Sequence, residues 1–334
     1  MLRTRQVRRL PARFGESAER YPWAAFLLRR GLRLIISLWI VVTASFAMIR
    51  LIPGNPVRAA LDLTASPALV AAKEHDLYLD RSMLTQYWHY LSHLAHGDFG
   101  TSLVTNEQVG TMIRERLPNT LGIAFLAFAV VLLLAFPAGL FAAIHTRGGR
   151  HPRAELGFTS SMSVLGSVPD FVLAAGLVAG LAVAWPVFPV AGKDGPSSYV
   201  LPVLALAVTP AAGLARIVRV EALRILGEDY IRTARSKRLP SKVIYLRHAA
   251  PNMITASLTI AGNLLPSLVA GTVLIETVFA WPGLGSTIAQ SVIDQDYFVV
   301  QAMVLILGLS VLAVNFVIDL LLAVLDPRST IKES

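Results

Sequence analysis

Six stretches of the chain stay apolar for about twenty residues or more, long enough as helices to cross the roughly 30 Å hydrocarbon layer of a bilayer. They run Leu32–Ile52, Thr120–Ile144, Leu156–Trp185, Tyr199–Ile217, Met253–Ala280 and Phe298–Leu325. Composition agrees: 54% of the 334 residues are hydrophobic and only 15% are charged, where a soluble domain carries about a quarter charged. The expected fold class is an all-α membrane protein with six transmembrane helices. Pro169, near the middle of the long third stretch, predicts a kink there, and Pro202 and Pro210 do the same in the fourth.

The distribution of lysine and arginine orients these spans. Arg3, Arg5, Arg8, Arg9, Arg13, Arg20, Arg29, Arg30 and Arg33 lead into the first span. A cleaved signal peptide has a shorter apolar core and a small-residue cleavage site, so this stretch reads as a retained first span. With Arg147, Arg150 and Arg153, the stretch Arg216–Arg247, and Arg328 and Lys332, 23 of the 30 basic residues fall on one side. That side is assigned to the cytoplasm and holds both termini. The segments are then a cytoplasmic extension (1–31), a first span (32–52), an extracytoplasmic helical subdomain (53–118), a five-helix core (119–325) containing the cytoplasmic loop 227–252, and a cytoplasmic tail (326–334).

This topology accounts for the net charge of +9 without nucleic acid. Cysteine is absent, which removes disulfides, thiolate metal sites and a cysteine nucleophile. No G-x-x-x-x-G-K-[ST] phosphate loop occurs; the Gly192-Lys193 pair lacks its spacing. Ser163 and Ser167 lie within a span, but all seven histidines fall outside the expected spans, so an intramembrane hydrolase has no base. The chain reads as no enzyme.

Three acids do fall inside expected spans: Asp170, Glu276 and Asp319. A carboxylate in lipid costs about 2.5 kcal/mol or more, so each faces protein or a watery path. Glu276, with Phe279 and Trp281 before the Pro282-Gly283 break, is the best candidate for a translocation path or gate, and Asp170 shares that reading. Asp319, one turn from Asn315, reads equally as a tie between helices. His89, His93 and His96 share one helical face, a geometry that suits metal ligands. Leu84, Tyr87, Leu91 and Leu94 form the opposite, apolar face of an amphipathic helix, so the histidines also read as its solvated or partner-facing side. No metal site is assigned to them.

The cytoplasmic run from Glu228 to Leu239, stopped by Pro240, is basic and helix-forming. It suits a segment lying on anionic headgroups and equally a short helix inserted into a groove on a soluble partner.

The segment D-Y-I-R-T-A-R-S-K-R-L, with R-H-A-A-P-N at Arg247–Asn252, resembles the cytoplasmic coupling loop of permease subunits of bacterial binding-protein-dependent ABC importers, specifically the dipeptide/oligopeptide branch. Other blocks follow in the same order: Pro53-Gly54-Asn55-Pro56, Gly97-Asp98-Phe99-Gly100-Thr101-Ser102, Arg116-Leu117-Pro118-Asn119-Thr120, Glu276-Thr277-Val278-Phe279 with Trp281-Pro282-Gly283-Leu284-Gly285, and Asp326-Pro327-Arg328. The resemblance implies a type I importer permease in the bacterial inner membrane, forming half of a path for di- or oligopeptides. Nickel, glutathione or another small solute is the alternative cargo. A proton-coupled carrier built on Asp170, Glu276 and Asp319 is a further reading, but no internal repeat supports it. The implied partners are a second permease, two ATPase subunits that use ATP and magnesium, an extracytoplasmic binding protein, peptide and membrane lipid, with no cofactor on this chain. Carried over, Tyr230, Arg232, Thr233, Ala234, Arg235, Lys237, Arg238 and Leu239 would form the ATPase-coupling segment. Arg238 stands where the family usually has a glycine suited to positive φ. Gln295 and Phe298 depart from its usual R-D-Y-P run, and the extension through about Arg30 is not covered.

Overall fold

The computed structural model describes residues 22–51, 55–61, 66–149 and 151–325. The basic residues through Arg20, the Pro53-Gly54 pair, Arg150, and the closing Asp326-Pro327-Arg328 with the tail lie outside the described residues. The first element is α1 (Pro22–Leu51). Three short helices follow: α2 (Pro56–Ala60), α3 (Pro67–Asp76) and α4 (Met83–Ala95). Each begins on a side chain that accepts from orphan backbone donors of its first turn. Asn55 takes the Val57 and Arg58 N–H groups, Ser66 takes Leu69, and Ser82 takes Thr85.

Helix α5 (Val109–Thr146) runs past the expected Ile144 and takes His145 into its last turn. Next come α6 (Pro152–Ser167), α7 (Asp170–Leu177, widening into π-helical turns through Ala184) and α8 (Val200–Leu226). Helix α9 (Asp229–Ser236) follows, and beyond a short connection come α10 (Ala250–Gly262), α11 (Leu264–Val278), α12 (Leu284–Ile293) and α13 (Tyr297–Leu325). Five of these stretches are singly long and apolar enough to cross a membrane, and the α6–α7 pair makes a sixth if counted as one span.

The kink expected at Pro169 is a break: the two halves meet at 94°. Proline disfavours the helical region for the residue before it. Val168 is accordingly extended (φ −76°, ψ 123°), as is Pro169 (φ −61°, ψ 140°), so one helix stops and another starts. The Val168 carbonyl, left outside any helix, accepts from the Thr209 hydroxyl of α8 at 3.1 Å. The fourth span also departs from expectation, because α8 continues nine residues past Ile217. Arg219 therefore sits on a helix, where it pairs with Glu155 of α6 at 2.6 Å and donates to the Thr146 hydroxyl at 3.0 Å. The expected fifth span is divided at Asn263 into α10 and α11.

The core lies among α5, α7, α8, α10 and α11, with Ile123, Val131, Leu206, Leu214, Val218 and Ile275 buried together. At its tightest point α8 crosses Gly139 of α5. A Cβ on Gly139 would lie 2.6 Å from the Ala215 carbonyl oxygen and 2.6 Å from a Val218 methyl. Helix α1 packs antiparallel on α13. Arg30 forms an ion pair with Asp319, Gly308 admits Val41, and the Ser45 hydroxyl donates to the Gln301 carbonyl at 2.9 Å. The partner of Asp319 is thus an arginine of the segment read as a cytoplasmic extension, which lies on α1. The other side of α1 exposes Ile35, Ile36, Trp39 and Ile40.

Gly139→Ala is expected to destabilise the purified protein by about 1–3 kcal/mol, the cost of overpacking where backbone blocks relief. Gly122→Ala in the same helix, with open space around it, should leave the melting temperature unchanged or raise it, because alanine is the better helix former. Thermal unfolding in detergent checks both.

Candidate functional site

At the inner end, α9 is a short amphipathic helix bound to the core by one edge. Ile231 is fully buried and Ala234 is 7% exposed, both within the main core cluster, and half-buried Leu239 packs against it. Tyr230, Arg232, Thr233, Arg235, Lys237 and Arg238 face outwards. The eight residues assigned to coupling therefore divide: six are available to another protein, while Ala234 and Leu239 fasten the helix to its own chain. Asp229 in the first turn and Arg235 in the last suit the helix dipole. Asn252 donates to the Tyr230 hydroxyl at 3.1 Å, tying α9 to the start of α10.

The end of α9 settles the geometry at Arg238. The Leu239 N–H reaches the Ala234 carbonyl (3.3 Å) and the Arg238 N–H reaches the Arg235 carbonyl (2.8 Å). This is the paired bonding of a left-handed helix cap, and Arg238 has φ 55°. The turn that glycine would favour is present with arginine in it, at a cost of about 1–2 kcal/mol. Leu239, the next residue, contributes the apolar contact that accompanies such caps. Gln295, which like Phe298 departs from the family's usual run, holds φ 58° in the equivalent position after α12.

Above α9, a groove of about 620 Å³ opens between α8 and α10, lined by Gly213, Arg216, Val220, Glu221 and Ser257 among others. The Ser257 hydroxyl is buried without a partner. Sequence reasoning missed this groove because it ended the fourth span at Ile217. Carried through Leu226, positions 213, 216, 217, 220 and 221 follow the three-and-four spacing of one helical face.

At the outer end, blocks far apart in sequence meet. The carboxyl group of Glu276 is fully buried. Its Oε2 accepts from the Gly285 N–H (2.6 Å) and the Ser286 N–H (3.1 Å), the first-turn donors of α12. Gly283, at the start of α12, has no side chain to cap it, so Glu276 does so from the end of α11. Side chains at either glycine would overlap this arrangement: a Cβ on Gly283 meets the carboxyl group, and one on Gly285 meets Val273. Thr120 of α5 accepts from the Leu284 N–H at 2.8 Å, and Asn119 donates to the Pro282 carbonyl at 2.7 Å. Lys193 reaches Asn119 at 2.7 Å, and the Gly192 N–H reaches the Phe279 carbonyl at 2.9 Å. Trp281, fully buried, stands edge-on to Tyr199 at 4.5 Å, and Phe279 is 2% exposed. Glu276, Phe279 and Trp281 thus form a sealed outer knot.

Asp170 lies elsewhere, half-buried in the first turn of α7 at the 94° break and within reach of Thr209. The three histidines do not converge. His89 stacks on Tyr78 at 4.0 Å, His93 meets Asp98 at 2.8 Å and His96 meets the Ser92 carbonyl at 2.7 Å. Among the described residues no cluster of three His, Asp or Glu side chains is placed to hold a metal. The Gly100 N–H, with His93, holds the Asp98 carboxyl below its usual range.

Two family models match the chain. Residues 135–331 match the binding-protein-dependent transport system inner membrane component, and residues 24–124 match the N-terminal region of such components. The glutathione transport system permease protein GsiC of Salmonella typhimurium is 34% identical over 302 residues, covering 90% of this chain and 97% of the relative. Its counterpart in Escherichia coli K12 is 33% identical over the same lengths. A crystal structure of an amino acid ABC transporter aligns with 65% of this chain and 94% of its own, at 20% identity and a TM-score of 0.46, a loose likeness.

Glu276→Ala leaves two buried N–H groups unmet and is expected to destabilise the protein by about 2–4 kcal/mol. Glu276→Gln, which keeps one acceptor oxygen, should lose less than half as much. Equal losses in thermal unfolding would contradict the capping role.

Proposed function

Because the chain belongs to the family of binding-protein-dependent transport system inner membrane components, we propose that it forms half of an import path for short peptides and takes its driving force through α9. It is a permease subunit of an ABC importer, a multi-pass inner membrane protein and not itself an enzyme. Glutathione, which the relatives' names specify, is itself a tripeptide, so peptide cargo and the relatives' cargo are one chemical class. The proposed assembly adds a second permease, two ATPase subunits consuming ATP with magnesium, and an extracytoplasmic binding protein.

The observation that carries this reading is the division of α9. A lever must be fixed on one side and accessible on the other. Ile231 and Ala234 fix it, while Tyr230, Arg232, Arg235 and Lys237 are exposed to engage an ATPase. Packed helices switch between discrete arrangements, so a push on α9 would pass to α8 and α10 as a whole. The α8–α10 groove then forms this chain's share of the inner half of the path, where Arg216 and Glu221 offer both charges to a zwitterionic peptide. The knot at Glu276, Phe279 and Trp281 serves as the outer gate, and Asp170 borders the path at the α6–α7 break. Asp319, paired with Arg30, ties α13 to α1 and stands apart from the groove.

Uptake of glutathione or a dipeptide into vesicles is expected to require ATP together with the ATPase subunits. Uptake that persists without them and collapses with the proton gradient would overturn the reading. Arg235→Glu, at an exposed position, should lower transport per ATP hydrolysed by about tenfold with folding intact. Ala234→Glu, which buries a carboxylate, should reduce the yield of assembled importer itself.

A further inference from the structure

Helix α4 has the amphipathic division expected of it, but one edge of its apolar side is not turned into the protein. Met83, Leu94, Tyr87, Leu91, Leu84 and Trp88 occupy one arc, from the 100° step per residue. Of these, Met83, Leu84 and Trp88 are 60%, 69% and 64% exposed. The opposite side holds Gln86 and His89, which line a cavity of about 220 Å³ against α1 and α13. Three large apolar side chains facing water along one helix edge would be an unfavourable arrangement for a segment read as an extracytoplasmic subdomain.

Depth resolves the conflict. By length and composition the stretch of α1 able to span runs Phe26–Arg50, which puts its midpoint at Leu38. With about 1.5 Å of rise per residue, Thr43 lies about 7 Å and Phe46 about 12 Å towards the outer end. Both are inside the half-thickness of roughly 15 Å of hydrocarbon. Helix α4 packs at these levels: the Tyr87 and Thr43 hydroxyls are 2.8 Å apart, and the Phe46 ring is 5.0 Å from Tyr87 and 5.6 Å from Tyr90. Between the two helices runs a groove of about 240 Å³, lined by Trp39, Thr43, Phe46, Met83, Leu84 and Tyr87. The only side-chain polar groups lining it, apart from the Trp39 indole N–H, are the two hydroxyls, and they satisfy each other. The groove is continuous with the exposed face of α1 at Ile35, Ile36 and Ile40. Arg50, with its guanidinium 3.5 Å over the Phe46 ring, marks the outer limit of the span.

We propose that α4 is an interfacial helix set into the outer leaflet, its Met83–Leu84–Trp88 edge among the acyl chains of outer-leaflet phospholipids and one chain lying in the groove beside Trp39. An apolar arc with a polar opposite face is the pattern of helices that lie in the membrane plane. The outer part of this permease is then partly supported by lipid, and α4 is an anchor for the extracytoplasmic segment. The inference requires only that α1 spans the membrane, not that peptide is the cargo.

The chain contains no cysteine, so single cysteines can be introduced and labelled with a nitroxide. Leu84→Cys and Trp88→Cys, with Met83→Cys as a further position on the same edge, would be labelled in the assembled importer in nanodiscs of phosphatidylethanolamine and phosphatidylglycerol. Ile36→Cys serves as the lipid-facing reference and Glu107→Cys as the water-facing one. The expected ratio of collisions with oxygen to collisions with a water-soluble nickel chelate is several-fold above that at position 107 and close to that at position 36. Nickel access equal to that at position 107 would overturn the proposal by placing the edge in water. Low access to both reagents would overturn it equally, by placing another protein subunit there.

Discussion

The close approach of α5 and α8 is the contact on which the rest of the molecule is mounted. It depends on Gly139 having no side chain, so that the Ala215 carbonyl and Val218 can occupy the space a Cβ would need. Dispersion and packing, not water release, hold helices together within lipid, and both gain from backbones that come close. Once α5 and α8 are fixed, α8 can run on past Ile217 and carry Arg219 to Glu155. It ends at Leu226, with two residues between it and α9. Because Ile231 and Ala234 belong to the same buried cluster as Val218 and Leu226, α9 is an extension of that body and not a flexible loop.

The two ends of the helix body differ in a way that fits a permease driven by separate subunits. The outer end is tied by backbone and side-chain hydrogen bonds drawn from α5, α11, α12 and the loop at Gly192, with Trp281 and Phe279 closed over by protein. The inner end offers an open groove and an exposed basic helix. Several helix ends are held in left-handed turns without glycine, at Tyr78, Arg238, Ala280 and Gln295. Three of these end α9, α11 and α12, the elements at the two ends of the helix body. Such strain persists only where surrounding contacts over-determine it. At Arg238 the paired carbonyl bonds and the burial of Leu239 supply that determination.

Much of this was legible in the sequence because hydrophobic length and the position of arginine are strong signals in membrane proteins. The all-helical class and the long apolar stretches follow from them. What escaped was tertiary in origin. Pro169 announced a distortion, but whether a helix bends or breaks depends on what accepts the freed carbonyl, here Thr209. The Arg216–Glu221 groove was hidden because charged residues look like the end of a span when neighbours that pair with them, such as Glu155 with Arg219, are unseen. Glu276 was picked out as a buried acid, yet its role as a cap needed knowledge that α12 starts on a glycine beside it. The amphipathic pattern of α4 is visible in the sequence, while the direction of its apolar arc could be found only by placing it against α1.

The claim that α9 and α8 move as one body is open to a direct distance measurement. Nitroxide labels at Arg224→Cys on α8 and Arg235→Cys on α9, in the assembled importer, report their separation by pulsed electron spin resonance with and without trapped nucleotide. A rigid lever leaves that separation unchanged, while the distance from position 235 to a label on the second permease shifts. A change between positions 224 and 235 when nucleotide binds would show that α9 flexes at Gly227 and would contradict the account.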